Sequence, residues 1–379
     1  MIYDNFLIYS FEPLQLIVEN IGPFRDGVKT FDFTDNDDEP CNFFLLISKN
    51  GLGKTTILNL MTDLMSMLEN REMISFRHEG LKRGKGRVQW DIRVRLRRNG
   101  YDENIILSLL AGSLDKSGLF FWEKERLAKF NASSWHRFGY RRHISGRLER
   151  IGKGDEVVED LLSAIKMFQD DTSKKFQDDS LTMPTILYFS AYRDIPFLKE
   201  SQRSIIQPDN FCYKPVHIFE QQGEKWDESL DNLLVWFKWL DDGRFENAQK
   251  IINEYVLKGT NKFLKGIRRQ PPEAIVVNEN NEHRLDQLSS GEKSLVQLFL
   301  RIGAHMTGNT ILLIDEMDVH LHLKLQHRLL NILKGMAKDF PGLTIIGTTH
   351  SVEIMQGFAF EVKEKGLRKG GHLIEEDIY

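Results

Sequence analysis

The amino-acid sequence predicts an α/β fold carrying an antiparallel β portion and a helical insert. Three observations lead there. A short apolar run, "NFFLLIS", enters the glycine loop "KNGLGKTT" and then a helix-periodic stretch. The segment "VQWDIRVRLRRNGYDENIILSLL" alternates in character and breaks at Asn99-Gly100, the signal of a β-hairpin. Beyond Pro271-Pro272, apolar runs and helix-periodic segments follow one another almost to the end.

Taken in order, "LQLIVEN", "VKTFDF" and "NFFLLIS" are β-rich runs separated by turn residues. After the glycine loop, Ile57, Leu58, Leu60, Met61, Leu64, Met65 and Leu68 recur at helical spacing. In the hairpin, Val88, Trp90, Ile92, Val94 and Leu96 alternate with Gln89, Asp91, Arg93, Arg95 and Arg97, which predicts one arginine-bearing face. From Asp155 the period is mostly helical, interrupted by "TILYFSAYR", a buried strand ending in Arg193. Leu230 to Leu240 and Ile251 to Val256 predict two packed helices. The tail reads as strand "AIVVN", helix "DQLSSGEKSLVQLFLRIGA", strand "TILLIDEMD", a helix over about 323–338 and strand "LTIIGTTHS". Residues 1–379 read as one domain, with 71–123 a basic antiparallel β subdomain and 191–269 a helical insert within it.

The 379 residues are 41% hydrophobic, enough for a sizeable core. The formal charge of −4 is unevenly spread: ten Lys/Arg against three Asp/Glu between Arg71 and Arg98, and nine against two between Lys124 and Lys153. Two cysteines, Cys41 and Cys212, are too few for a disulfide framework. The start lacks the basic and apolar regions of a signal peptide, and no apolar run approaches a membrane span. The expected compartment is the cytoplasm, with no membrane partner.

Phosphates concentrate negative charge, so a loop that holds them aims backbone N–H groups inward at the positive end of a helix. Residues 48–56, "SKNGLGKTT", meet G-x-x-x-x-G-K-[ST] at Gly53, Lys54 and Thr55 but carry Ser48 where the pattern starts with glycine. Asn50, Gly51, Gly53, Lys54, Thr55 and Thr56 are the candidate nucleotide-binding residues. Lys54 would reach the β- and γ-phosphates and the Thr55 hydroxyl would hold Mg²⁺. Ser48 is tolerable if its φ stays negative, whereas a side chain at Gly53 would crowd the phosphates.

"ILLIDE" is a buried strand that ends in Asp315 and Glu316; either it closes in an ordinary acidic turn, or one carboxylate supports Mg²⁺ and the other orients water. "LSSGEKS", Leu288 to Ser294, opens a helix either as an anion site or as a simple cap of Ser289 with Glu292. "GTTHS" places His350 just past a strand, 35 residues beyond Asp315, as a structural histidine or a γ-phosphate contact. His320 and His322 could ligate zinc, but no cysteine or third ligand accompanies them.

In this order the motifs resemble the ABC-type ATPase heads of the RecF, SMC and OLD group: phosphate loop, "LSSGE" signature, "LLIDEMD" Walker B strand and switch histidine. "LQLIVENIGPFRDGVKTFDF" looks like that group's first hairpin, and "HLH" resembles the "ELHLH" of OLD-like heads. The resemblance covers residues 14–60 and 285–352. It implies an ABC-type P-loop NTPase fold, ATP and Mg²⁺ as ligands, and hydrolysis of ATP to ADP and phosphate. In similar heads each ATP lies between the phosphate loop of one protomer and the signature of another. Ser289, Ser290, Gly291 and Glu292 would then complete a neighbour's site in a homodimer or higher homo-oligomer. By the same resemblance Glu316 is the catalytic base, Asp315 supports Mg²⁺, His350 reports the γ-phosphate and Asp318 lies in the loop coupling two sites. The departures are Ser48, Ser290 where the family often has Gly, and Glu292 where transporters often have Gln. Gln89 is a candidate for the glutamine that contacts Mg²⁺ in relatives, though its strand pattern equally suits a solvated face.

Long heptad arms are absent, and the 29 residues after His350 are fewer than the Toprim nuclease domain of complete OLD proteins needs. The chain therefore resembles stand-alone ATPase subunits of bacterial anti-phage defence systems such as Septu and PARIS. That resemblance implies a separate effector, a nuclease or toxin. The insert, with Trp226, Trp236 and Trp239, would supply its docking surface or simply pack the core. The alternative is a RecF-like DNA-binding clamp in repair. Arg93, Arg95, Arg97 and the basic stretch Arg137 to Lys153 would then contact DNA phosphates, and binding would fall steeply with salt.

Overall fold

The computed structural model describes residues 6–69, 73–114, 118–169, 180–208, 212–220 and 225–374. Residues 71, 72 and 115–117 of the expected basic subdomain, and parts of the expected insert, lie outside them. The strands are β1 (Phe6–Ile21), β2 (Phe24–Asp32), β3 (Phe43–Ile47), β4 (Arg87–Arg98), β5 (Tyr101–Gly112), β6 (Ser134–Arg142), β7 (Leu148–Ile151), β8 (Pro184–Phe189), β9 (Val216–Phe219), β10 (Lys262–Arg269), β11 (Pro272–Asn278), β12 (Asn281–Arg284), β13 (Asn309–Ile314), β14 (Thr344–Thr349) and β15 (Lys369–Leu373). The helices are α1 (Lys54–Ser66), α2 (Glu79–Lys82), α3 (Lys124–Lys129), α4 (Glu156–Gln169), α5 (Leu230–Leu240), α6 (Arg244–Ile251), α7 (Ser290–His305), α8 (Leu323–Asp339) and α9 (Val352–Phe358).

A parallel sheet in the order β15-β3-β14-β13-β8-β9 forms the middle layer. Its strands read as continuous apolar runs because both faces are covered. Alternate residues divide between two cores. Phe44, Leu46, Ile186, Ile311, Leu313 and Ile346 face α1, α4 and the amino-terminal sheet. Phe43, Leu45, Leu187, Leu312, Ile314 and Ile345 face α5 to α9.

The amino-terminal sheet runs β2-β1-β4-β5-β6-β7. Asn99 and Gly100 take φ of 52° and 84°, the positive values a two-residue turn requires, and Arg98 pairs with Tyr101 across it. The 71–123 segment does not close on itself: β4 pairs with β1 along its whole length, and β6 adds to β5 in parallel. The 191–269 segment is likewise more than helical. It holds α5 and α6, but β9 joins the parallel sheet and β10 begins a separate antiparallel sheet, β10-β11-β12. "AIVVN" belongs to that small sheet, where Ala274 and Val276 pack in the core that contains α5. Trp226 is buried, whereas Trp239 is exposed and stacks on Trp236 at 4.8 Å between ring centroids.

Candidate nucleotide site

The site lies at the carboxyl ends of three adjacent parallel strands, where open α/β sheets place their ligands. β14 sits between β3 and β13, with Thr349 level with Ile47 on one side and Gly347 level with Ile314 on the other. This order brings the phosphate loop after β3, the acidic pair after β13 and His350 after β14 together, although they are up to 300 residues apart in sequence.

The phosphate loop turns into α1 through Gly51 and Gly53, at φ of 86° and 100°. Gly53 is required twice over. A Cβ there would lie 2.5 Å from Phe24 Cζ and 2.6 Å from Pro23 Cγ, so the β1-β2 turn packs directly on the loop. Ser48 keeps a negative φ, as its tolerance requires. Its hydroxyl donates to Lys49 O at 2.7 Å. The buried Lys54 ammonium donates to Ser48 O (2.8 Å), Lys49 O (3.0 Å) and Ser48 Oγ (3.1 Å). Burial holds the Lys54 ammonium below its usual pKa, against the opposing pull of Glu316, Asp315 and Asp318. Thr56 lies beside Gly22, another residue of the β1-β2 turn. Asn50 is exposed.

Asp315 is nearly fully buried and receives two hydroxyls at 2.7 Å each, Thr55 Oγ1 on one carboxylate oxygen and Thr348 Oγ1 on the other. Thr348 in turn accepts the Glu316 N–H at 2.7 Å. Glu316 has a φ of 45°, a left-handed conformation that costs a non-glycine residue about 1–3 kcal/mol and must be held by its surroundings. Arg193 holds it: its guanidinium donates to Asp315 O (2.7 Å), Glu316 O (2.9 Å), Ser190 O (2.9 Å) and Ser294 Oγ (3.0 Å). Burial pushes the Arg193 guanidinium down to about 10. The backbone of the acidic turn is thus clamped from behind, while the half-buried Glu316 carboxylate has no hydrogen-bond or ion-pair partner among the described residues.

Asp318 accepts Thr349 Oγ1 at 2.6 Å, and His350 Nε2 lies 3.3 Å from its other oxygen. His320 and His322 are exposed, with His322 at the amino-terminal cap of α8. At the signature, Ser289 caps α7 and forms a capping box with Glu292. Ser289 N and Oγ donate to Glu292 Oε2 at 2.9 and 2.8 Å. Lys262, on β10, donates to both oxygens of that carboxylate at 3.0 and 2.8 Å. Ser289 and Ser290 are exposed, whereas Gly291 is buried. A Cβ at Gly291 would lie 3.1 Å from His320 O and 2.9 Å from Leu325 Cδ1, so its smallness serves packing within the chain.

One expectation is corrected. Gln89 is fully buried in the amino-terminal sheet. Its amide donates to Asp91 Oδ1 (2.8 Å) and Phe120 O (3.1 Å) and accepts from the N–H groups of Leu119 and Phe120, so it is not presented to a metal. The arginines of β4 have partners within the chain. Residues 118–130 cover part of that strand's polar side, and Asp91, which accepts from Gln15 at 2.7 Å, is held above its usual pKa by burial. Arg93 is paired with Glu12 and Glu39, Arg97 with Asp102, and Arg95 donates to Ser10 Oγ. In the second basic stretch Arg141 pairs with Glu149 and Arg150 with Glu159. Arg95 is exposed and its partner is a neutral hydroxyl, so it keeps its charge.

Thr348, Arg193 and Lys262 make contacts to candidate site residues that local sequence patterns do not mark; each partner is distant in sequence. Among the described residues no group of three metal-ligating side chains occurs, and no helix is long and apolar enough to cross a membrane.

Comparison with known proteins fits this geometry. The chain is 34% identical over 108 residues to "Retron Ec83 probable ATPase" of Escherichia coli, spanning 24% of this chain and 19% of that protein. It is 30% identical over 116 residues to "Retron Vc95 probable ATPase" of Vibrio cholerae, spanning 27% and 22%. The matches thus span about a fifth of the length of these relatives. Among solved structures, the SMC head bound to the C-terminal winged-helix domain of ScpA aligns over 91% of both chains, at 11% identity and a TM-score of 0.43. The family model described as "AAA domain, putative AbiEii toxin, Type IV TA system" matches residues 43–356, a span that contains the phosphate loop, signature, acidic strand and His350, and the chain belongs to that AAA-domain family.

Proposed function

We propose that this chain binds and hydrolyses ATP, assembles as a homo-oligomer through ATP sandwiching, and regulates a separate effector, a nuclease or toxin, in anti-phage defence. One observation carries the chemistry. An ammonium (Lys54), a hydroxyl–carboxylate pair (Thr55 with Asp315) and a carboxylate without a described partner (Glu316) converge at the ends of adjacent strands. The Thr55 and Asp315 oxygens are the hard donors that Mg²⁺ takes, and the ion held by them would neutralise charge on the phosphates. Lys54, placed at the start of α1, binds the β- and γ-phosphates with the loop N–H groups. Glu316 accepts the proton of the attacking water, and its strained, clamped backbone keeps the carboxylate in place. His350, within reach of Asp318, donates to the γ-phosphate and ties its presence to the loop after β13.

The signature presents exposed Ser289 and Ser290 at a helix amino terminus, which supports its use by a neighbouring protomer. The regulatory role draws support from the retron ATPases and from the toxin–antitoxin description of the family. Native mass spectrometry of the Glu316→Gln protein, purified with ATP and Mg²⁺ from its own host, tests the whole reading. An ATP-dependent oligomer carrying a nuclease or toxin is expected; an oligomer carrying only DNA would contradict the effector role.

A further inference from the structure

Lys262 begins β10 in the small three-stranded sheet, outside every sequence motif, yet its ammonium lies 2.8 Å from Glu292 Oε2 and 3.0 Å from Oε1. Glu292 is buried in the signature, and the same Oε2 accepts both the N–H and the hydroxyl of Ser289. The signature thus carries a carboxylate directly beside the serine that a phosphate must approach. An isolated anion there would repel a nucleoside triphosphate. A cation shared between both carboxylate oxygens removes that conflict.

We infer that Lys262 is a positioning residue of the composite ATP site: it neutralises Glu292 so that the signature can accept the phosphates of an ATP held by a second copy of the chain. The inference rests on the ATP-sandwich reading above. Lys262 holds the Glu292 charge, Glu292 holds Ser289, and Ser289 meets the phosphate. The strand that carries Lys262 also carries Leu264, which is packed with α5, α6 and α7, so the small sheet is mechanically joined to the signature. Glu292, where transporters often have glutamine, is therefore half of a charge pair whose other half is supplied from β10. The depressed pKa of the Glu292 carboxyl, held down by Lys262 and Ser289 against burial, agrees with a permanently charged pair.

The test is ATP-dependent self-association in the Glu316→Gln background, followed by sedimentation velocity with ATP and Mg²⁺. Binding of a fluorescent ATP analogue to dilute protein and thermal melting are read in parallel. Lys262→Ala should raise the concentration for half-assembly about tenfold or more while leaving analogue binding to the phosphate loop unchanged. Adding Glu292→Gln should restore assembly, because the unpaired charge is gone, and Lys262→Arg should assemble as the parent does. Unchanged assembly of Lys262→Ala overturns the inference. So does a loss that follows the melting temperature and is not relieved by Glu292→Gln, since that outcome makes Lys262 a structural anchor only. If the Glu316→Gln parent binds the analogue but never assembles with ATP, the sandwich reading itself fails and takes the inference with it.

Discussion

Replacing Arg193 with methionine separates the clamp behind the acidic turn from the turn's own carboxylates. The side chain is 5% exposed and donates four hydrogen bonds, two of them to the carbonyls of Asp315 and Glu316. Bonds from a charged donor contribute at least about 1.5 kcal/mol each, so the four together contribute about 6 kcal/mol. Against this stands burial of the guanidinium, which lowers its pKa to about 10. That depression corresponds to an opposing cost of about 3 kcal/mol. Methionine removes both effects and fills similar volume, leaving a net loss of about 3 kcal/mol, toward the upper end of ordinary single substitutions. The functional consequence should be selective. Glu316, at φ 45°, loses the bond that holds its carbonyl, while the phosphate loop on β3 is untouched. Steady-state phosphate release should show kcat lowered about tenfold or more with KM for ATP within about threefold, the pattern of a contact needed in the transition state. A lowered melting temperature with unchanged kcat would refute the reasoning, reducing Arg193 to a packing residue.

Gly53→Ala should abolish binding of ATP and lower stability by about 2 kcal/mol, because φ of 100° is strained for alanine and its Cβ would strike Phe24 and Pro23; calorimetric titration with ATP and a thermal melt check both. Asp231 gives a pH-dependent prediction. It is partly buried, accepts the Ala274 N–H at 2.8 Å, and burial raises its carboxyl to about 6. A folded-state value above the unfolded 3.8 means that its contribution is fully present below about pH 4 and is lost as pH rises through about 6. Asp231→Asn keeps the acceptor without the charge, so it should be more stable than wild type by about 3 kcal/mol at pH 7.5 and equal to it at pH 4, measured by denaturant unfolding at each pH.

The phosphate loop, the acidic strand and the strand before His350 were legible because each combines a local period with a chemical signature. A parallel strand covered on both faces reads as an unbroken apolar run, and "FFLLI", "TILLI" and "LTIIG" are such runs. The edge strands β9 and β15 carry no such signal; "KGGHL" becomes a strand only because β3 offers it an unpaired edge. The polar side of β4 misled for a related reason. Alternation predicts a solvated face, but residues 118–130 fold back over part of it and bury Gln89 and Asp91, which bond each other, while Arg93 is paired by Glu12 and Glu39. "AIVVN" was legible as a strand but not its partner, since pairing with β10 or with the parallel sheet leaves the same local pattern. Within the site, Thr348 and Arg193 escaped any motif because their value lies in what β13 places beside them, and Lys262 because its partner Glu292 is 30 residues away on another element.

The central claim is that the carboxyl ends of β3, β13 and β14 form an ATP-hydrolysing site with Glu316 as its base. Titration of ATP and Mg²⁺ against wild type, Lys54→Ala and Glu316→Gln, with phosphate release measured on the same samples, tests it most directly. Binding should be lost in Lys54→Ala, and it should be retained in Glu316→Gln with hydrolysis reduced about a hundredfold or more, as loss of a general base does. Glu316→Gln protein that hydrolyses ATP at the wild-type rate, or Lys54→Ala protein that binds ATP with undiminished affinity, would contradict the account.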